Sequence, residues 1–263
     1  MNILPYVRFD PTGNITAFIN TPVIRSLQPS VAAEIMTSGR FPCEQIGFLE
    51  SPADSTARVR LQMMGGEFCG NAAMSAAVYT AYLDGIKPGQ SVTVPLEVSG
   101  AEGVLNCVVR PAAGGYEGTV PMPAVRAVDE RDGMVFVHTD GILHIILRES
   151  ISAGDAETLL RSLARQVSAD AVGLLQWTNG FMIPLVLVKS TGTLVWETGC
   201  GSGSAAVGAY EALRAGNGVV RTDIRQPGGT ITVNAESRGG HIGNISITGY
   251  VKLLEHGNVS VNI

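Results

Sequence analysis

The sequence contains no run of about 18 consecutive apolar residues, so it predicts no membrane-spanning helix. It does not open with a basic segment followed by a long apolar one, so we expect no secretory signal peptide. Charged residues make up only 16% of the chain, the net charge is −5 and no basic cluster occurs, which argues against a nucleic-acid partner. With 45% hydrophobic residues over 263 positions, we expect a folded, cytoplasmic protein with a large core and no membrane partner.

Cysteine and histidine are both scarce, and neither forms a cluster. No Cys-x-x-Cys pair occurs, and no group of cysteines and histidines has metal-ligand spacing, so the sequence predicts no metal site. In a chain of this size without an export signal, free thiols are expected rather than disulfides. The four cysteines are Cys43, Cys69, Cys107 and Cys200.

Two of these cysteines open similar segments. The stretch "GEFCGNAAMSAAV" begins at Gly66, and "GCGSGSAAVGA" begins at Gly199. Each cysteine is followed 16 residues later by a glycine, Gly85 or Gly216. Alanine and apolar residues cover nearly every face between the cysteine and that glycine, which is typical of a buried helix of about four turns ended by a glycine.

The similarity extends to the segments around these helices. "YVRFDPTGNITAFIN" and "MVFVHTDGILHIILR" both predict strand, glycine-containing turn and strand, and "SVTVPLEVSGAEGVLNCVV" and "TDIRQPGGTITVNAES" predict strands after the helices. The pattern indicates a duplicated unit and two similar α/β domains. We place the domains at 1–122 and 123–247, with strands at 248–263 returning to the first.

A cysteine at a helix N-terminus suits chemistry on an amino acid. The unpaired N–H groups and the partial positive charge there stabilise a thiolate, so we expect a lowered thiol pKa. The same N–H groups favour a substrate carboxylate, and the following glycine lets a substrate approach the backbone. Two such thiols facing one Cα across a cleft between the domains could remove a proton from one face and return one to the other. The alternative is that both cysteines are buried packing residues.

The wording of several motifs is similar to that of a known family. "DPTGNITAFI", "CEQIGFLE", "FCGNAAMSAA" and "CGSGSAAVG" resemble the diaminopimelate epimerase superfamily, which comprises cofactor-independent two-cysteine enzymes. Within it, "LVWETGCGSGSAAVG" and "RQPGGTI" are most similar to the histidine racemases of staphylopine-type opine metallophore biosynthesis. This resemblance implies two pseudo-symmetric domains, each with a strongly curved sheet around a central helix.

The resemblance also assigns roles to particular residues. It places the catalytic thiol pair on Cys69 and Cys200. It implies no cofactor, no metal and a small amino-acid substrate, and it leaves a homodimer open. Glu67 and Glu44 are candidates for recognising an imidazole, or are surface or capping residues. The implied substrate-binding residues are Asn14, Gln45, Gly70, Asn71, His144, Glu197, Gly201 and Ser202.

Departures from the diaminopimelate epimerase pattern bear on the substrate. Met74 stands where those enzymes have an arginine, and Ile142 where they have an asparagine. A site without these groups should not hold a second charged amino-acid head, since an unpaired buried charge is costly. We therefore expect the interconversion of L- and D-histidine for metallophore biosynthesis. The alternatives are a broad-specificity racemase, a diaminopimelate epimerase or a non-catalytic amino-acid-binding protein of the same fold.

Overall fold

Strands account for more residues than helices in this mixed α and β structure, which confirms the α and β content predicted from the sequence. The computed structural model describes residues 2–39, 42–189 and 192–262. The chain divides into two compact units, one of residues 1–120 with 248–263 and one of residues 121–247. Within the described residues, no helix is both long and apolar enough to cross a bilayer.

The first unit holds two α-helices, the first seven strands up to Val120, and the part of the last strand that follows residue 247. Its elements are β1 (Asn2–Pro11), β2 (Thr16–Ile19), a 3-10 turn (Arg25–Leu27), α1 (Gln28–Thr37), β3 (Gln45–Glu50), β4 (Val59–Met63), α2 (Gly70–Leu83), β5 (Val92–Val98), β6 (Val104–Ala112) and β7 (Gly115–Pro121).

The second unit has a similar composition. Its elements are β8 (Val125–Arg131), β9 (Met134–Thr139), β10 (Ile142–Leu147), α3 (Ala153–Ala164), β11 (Ala171–Thr178), β12 (Phe181–Val188), β13 (Thr193–Trp196), α4 (Gly201–Ala215), β14 (Gly218–Gln226), β15 (Gly229–Arg238) and the first part of β16 (His241–Val261).

Both units pair their strands in the same order and sense. In the first, β1–β2 is antiparallel, β2–β3 parallel, β3–β4 antiparallel, β4–β5 parallel and β5–β6 antiparallel. In the second, β9–β10, β10–β11, β11–β12, β12–β14 and β14–β15 repeat that series. In each unit the connection between the strands of the second parallel pair contains a long helix, α2 or α4. Each of these helices begins directly after a cysteine.

These two long helices are buried on nearly every side, as their apolar sequences predict. Small residues allow the helices to approach the neighbouring strands closely. A Cβ on Gly208 of α4 would lie 2.4 Å from Cγ1 of Val233 in β15. Beyond α2, Gly85 has φ +75°, and Gly216 caps α4 with φ +90°, so the predicted glycine stops are confirmed.

The other two helices are amphipathic, and the sequence analysis did not predict them. Helix α3 packs Ala156, Leu160 and Ala164 against a cluster that includes Ile145 of β10. Because side chains alternate along a strand, His144 points to the other face of β10 from Ile145. Helix α1 packs in the same way against β3 in the first unit. The sheet of each unit therefore has an outer helix on one face and the cysteine-headed helix on the other.

Candidate active site

Cys69 is the N-cap residue of α2. Its backbone is extended, with φ −131° and ψ 113°, and its Sγ accepts a hydrogen bond from the N–H of Ala72 at 3.4 Å. Its carbonyl accepts from Ala73 at 2.9 Å and begins the helical ladder. The thiol is half-buried and lies at the positive end of the helix dipole.

Cys200 has the same local geometry at the start of α4. Its φ is −112° and its ψ 108°, and its Sγ accepts from the N–H of Gly203 at 3.2 Å. A Cβ on Gly203 would lie 3.0 Å from that sulfur and 2.9 Å from Leu175 Cδ2, so glycine permits the close packing of the thiol. The sequence prediction that both cysteines head buried helices is therefore confirmed.

The pKa of Cys200 differs from the sequence expectation. Burial raises the pKa of this thiol well above its ordinary value, and the charge of Glu197 and its hydrogen bond to the thiol add to the increase. Hydrogen bonds from Ser202 and from the N–H of Gly203 act in the opposite direction. The expectation of a lowered pKa is wrong for Cys200, because desolvation outweighs the helix terminus.

His144 is linked to Cys200 through a serine hydroxyl. Nε2 of His144 lies 3.0 Å from Oγ of Ser202, which lies 3.6 Å from Sγ of Cys200. His144 is fully buried, and burial lowers its pKa to about 4, so the imidazole is neutral at pH 7. Its Nδ1 has no hydrogen-bond partner among the described residues and faces Gly173, where a Cβ would lie 2.3 Å away. A neutral imidazole of fixed orientation therefore holds the hydroxyl beside the thiol.

The residues assigned to the substrate carboxylate begin the two helices. Gly70 and Asn71 are the first residues of α2, and Gly201 and Ser202 are the first of α4. In the first turn of a helix the backbone N–H groups point along the helix axis, away from the helix's own carbonyls. Gly70, Asn71 and Gly201 are buried, while Ser202 is half-buried. All four therefore lie at the positive end of a helix dipole.

A polar cluster forms around Asn14 in the first unit. Asn14 is 6% exposed and donates from Nδ2 to Oε2 of Glu44 at 2.7 Å. Gln45 donates from Nε2 to Oδ1 of Asn14 and to Oγ1 of Thr16, the latter at 2.9 Å. Three of the predicted site residues, Asn14, Gln45 and Glu44, are therefore in mutual contact. The parallel register of β2 and β3, with Thr16 opposite Gln45, brings them together.

Other residues singled out in the sequence lie elsewhere. Glu67 is exposed in the loop before Cys69. Met74 is fully buried, and a Cβ on Gly118 or Gly249 would lie 3.1 Å from it. The position at which diaminopimelate epimerases have an arginine therefore lies in the core of the first unit. This location weakens the substrate argument drawn from Met74. Ile142 is half-buried at the start of β10.

Comparison with known proteins assigns the sequence of this chain to a family. The sequence profile of the histidine racemase CntK N-terminal domain matches residues 3–260. The chain belongs to this family.

Curated relatives carry the same description along nearly their full length. A histidine racemase of Staphylococcus aureus (strain Mu50) is 25% identical over 248 residues, covering 89% of this chain and 89% of that protein. A histidine racemase of Fusobacterium nucleatum subsp. nucleatum is 29% identical over 274 aligned positions, covering 99% of this chain and 98% of that protein.

Solved structures of racemases and isomerases share the fold. A hydroxyproline epimerase from Agrobacterium vitis has a TM-score of 0.68 at 15% identity, covering 98% of this chain and 92% of its own. A predicted epimerase from Pseudomonas aeruginosa has a TM-score of 0.71 at 15% identity, covering 98% and 100%. Together with the family assignment, these matches support an isomerase that acts as an amino-acid racemase.

Sequence reasoning missed residues that support the two cysteine loops of this racemase. Gln226 at the end of β14 hydrogen-bonds the backbone of Cys200. Ser99, directly after β5, accepts from the N–H of Met63 at 2.9 Å and donates to the carbonyl of Glu67 at 2.8 Å. A buried polar residue at a strand end, as in "RQPGG", is the one sequence signal that could have pointed to them. In the described residues, no group of three or more histidines, cysteines and carboxylates could hold a metal ion.

Proposed function

We propose that this racemase interconverts L- and D-histidine by a two-base proton transfer in which Cys69 and Cys200 are the acid and base. The proposal is carried by one observation: each unit has a thiol as the N-cap of a buried helix, bonded to the third N–H of that helix. If the two cysteines only filled space in the core, nothing would require both of them to have this N-cap geometry at matched positions. The repeated strand order of the two units supports a duplicated fold with pseudo-symmetric domains.

The reaction needs no group beyond the two thiols and the substrate. One cysteine, as thiolate, takes the proton from Cα, and the electron pair left on Cα delocalises into the carboxylate. The other cysteine, as thiol, gives its proton to the opposite face of Cα. The two sulfurs have then exchanged protonation states, and the configuration at Cα is inverted. Neither pyridoxal phosphate nor a metal is required by this balance.

The helix termini supply the electrostatic stabilisation. The N–H groups of Gly70, Asn71, Gly201 and Ser202 suit a carboxylate that gains charge as the proton leaves. Fixed donors of this kind require little reorganisation during the reaction. The substrate carboxylate is therefore expected to bind at these termini, with Cα near the sulfurs.

The raised pKa of Cys200 fits its role as the proton donor in the free enzyme. A thiol kept protonated by burial and by Glu197 can donate at neutral pH. Once its proton is lost, the thiolate is correspondingly basic, and a strong base is needed because Cα–H is a weak acid. The hydrogen bonds from Ser202 and Gly203 act in the opposite direction, but the net shift of the pKa is upward.

The histidine assignment rests on the relatives and on the polar cluster of the first unit. The curated relatives are described as histidine racemases. Neutral imidazole has one N–H donor, which a carboxylate can accept. Glu44, already bonded to Asn14, is our candidate acceptor, and exposed Glu67 is the second. The D-histidine formed would enter an opine-type metallophore.

The test is Cα–H exchange in D₂O, followed by NMR and by chiral chromatography. Histidine, diaminopimelate, proline, alanine and leucine are compared under one condition. We expect histidine to exchange fastest and leucine at least about 10²-fold more slowly, since leucine leaves the buried polar groups unpaired. Faster exchange with diaminopimelate would overturn the substrate assignment, whereas similar rates for several amino acids would indicate a broad-specificity racemase. Binding of histidine without exchange would refute the catalytic proposal.

A further inference from the structure

Gln226 contacts Cys200 from the end of the strand that follows α4. Its Oε1 accepts a hydrogen bond from the backbone N–H of Cys200 at 2.7 Å. Its Nε2 donates to Oγ of Ser204 at 2.9 Å, and that hydroxyl donates to the carbonyl of Cys200 at 2.7 Å. One buried side chain therefore fixes both backbone polar groups of the cysteine, directly and through one serine.

The backbone supports the same contact. The N–H of Gly228, two residues beyond Gln226, donates to the carbonyl of Thr198 at 2.7 Å, two residues before Cys200. Gln226 is only 4% exposed and has hydrogen-bond partners for both ends of its amide. A fully satisfied buried amide is rigid, because each of its bonds would be costly to leave unmade.

The first unit supports its cysteine loop from the equivalent place with a different residue. Ser99 joins the end of β4 to the loop that leads to Cys69, through Met63 and Glu67. Gly100 follows with φ +70°, and a Cβ there would lie 2.3 Å from the backbone nitrogen of Phe68. In both units the strand after the helix therefore supports the loop that carries the thiol.

We propose that Gln226 is the positioning residue of Cys200: by clamping the N–H and, through Ser204, the carbonyl of Cys200, it sets where the thiol sits relative to the reacting carbon. This inference rests on the proposed role of Cys200 as an acid and base. Gln226 acts through the backbone of the cysteine and does not touch the thiol's proton.

The clamp acts on the dihedral angles that orient the sulfur. Cys200 is held at φ −112° and ψ 108°, and these angles place Sγ on the N–H of Gly203. The N–H of Ser204 also donates to the carbonyl of Cys200, at 3.0 Å, so the direct effect of losing Gln226 falls on the N–H of Cys200. Once that N–H is released, φ can relax and the sulfur can move off the helix terminus. A displacement of about 1 Å at a reacting group can lower the rate about 10²-fold.

Gln226→Met keeps the length and apolar volume of the side chain and removes both hydrogen bonds. We expect kcat for histidine racemisation to fall about tenfold to a hundredfold, with KM changed less than about threefold. Iodoacetamide alkylation of Cys200, followed by peptide mass spectrometry without substrate, should become at least about threefold faster, because the thiol is less enclosed. Ser204→Ala removes only the link to the carbonyl and should have a smaller effect in the same directions.

Gln176→Met is the matched control in the same unit. Gln176 is also 4% exposed, and its Oε1 also accepts a backbone N–H, that of Ile151, at 2.8 Å. It holds the segment before α3 and should affect stability without changing kcat or the alkylation of Cys200. A general loss of packing would affect the two glutamine variants alike.

The outcomes separate this inference from the proposed function. If Gln226→Met behaves like Gln176→Met in both assays, the positioning role is refuted. If Cys200→Ser still racemises histidine, the proposed function fails, while the alkylation data still report on the clamp. Should Gln226→Met fail to fold, Ser204→Ala decides, and unchanged kcat and alkylation in that variant would refute the clamp.

Discussion

Replacing Gly173 with alanine should break the link between His144 and Cys200 without touching either residue. Gly173 lies opposite His144 in the parallel pair of β10 and β11. A Cβ there would lie 2.3 Å from Nδ1 of His144 and 2.8 Å from Cε1. The imidazole is fully buried, so it can move only by giving up its 3.0 Å contact with Ser202.

The expected loss of stability in Gly173→Ala has two parts. Overpacking a well-filled core by one methyl group costs about 1–3 kcal/mol. Loss of the hydrogen bond between His144 and Ser202 adds roughly 1 kcal/mol. The free energy of unfolding should therefore fall by about 2–4 kcal/mol, which for a chain of this size lowers Tm by roughly 5–15 °C.

Thermal and urea unfolding of Gly173→Ala measure this loss. Gly154→Ala is the matched control, since a Cβ at that helical position meets nothing within 4 Å and should be neutral or slightly stabilising. In a double-mutant cycle, Gly173→Ala should cost much less in a His144→Ala background, where the clashing ring is gone. Equal costs in the two backgrounds, or a loss below about 0.5 kcal/mol, would refute the reasoning.

Three further predictions concern the titrating groups. Cys69→Ser or Cys200→Ser should each lower racemisation roughly 10²–10⁴-fold, because a hydroxyl is a poor base, and near wild-type rates in either would rule out the two-base mechanism. Glu197→Gln should lower the pKa of Cys200, because the carboxylate now raises it, and peptide-resolved alkylation at pH 8 should speed up; an unchanged rate would contradict the contact. The pKa of His144 is about 4 in the folded chain against an ordinary 6.5, so its contribution to stability is present above pH 6.5 and is lost as the pH falls toward 4. Urea unfolding across that range should show this loss in the wild type and a shallower one in His144→Gln.

The parts of the fold that the sequence predicted follow from strong local patterns. The helices after Cys69 and Cys200 are apolar on nearly every face and are followed by a glycine, and the structure has them at Gly70–Leu83 and Gly201–Ala215. The strand pairs around Gly13 and Gly141 likewise follow from turn residues between apolar segments. These signals are local, so one sequence is enough to read them.

What the sequence could not predict depends on tertiary contacts. The contact of Gln226 with Cys200 depends on the packing of β14 beside the start of α4. The direction of the Cys200 pKa shift follows from burial, which outweighs the helix terminus that the sequence did reveal. The pKa of the Cys200 thiol therefore depends on tertiary structure, whereas the boundaries of the two helices could be predicted from the sequence.

The pairing of β1 with β16 has a consequence for biosynthesis. One edge of β1 pairs with the nearby β2, whereas the other edge pairs with β16, where Asn2 lies opposite Val261. Residues 121–247 are continuous in sequence and can complete their own unit earlier. Contacts of such large sequence separation form slowly, because loop closure must come first. The first unit is therefore expected to finish folding after the second, because one edge of β1 stays unpaired until β16 is in place.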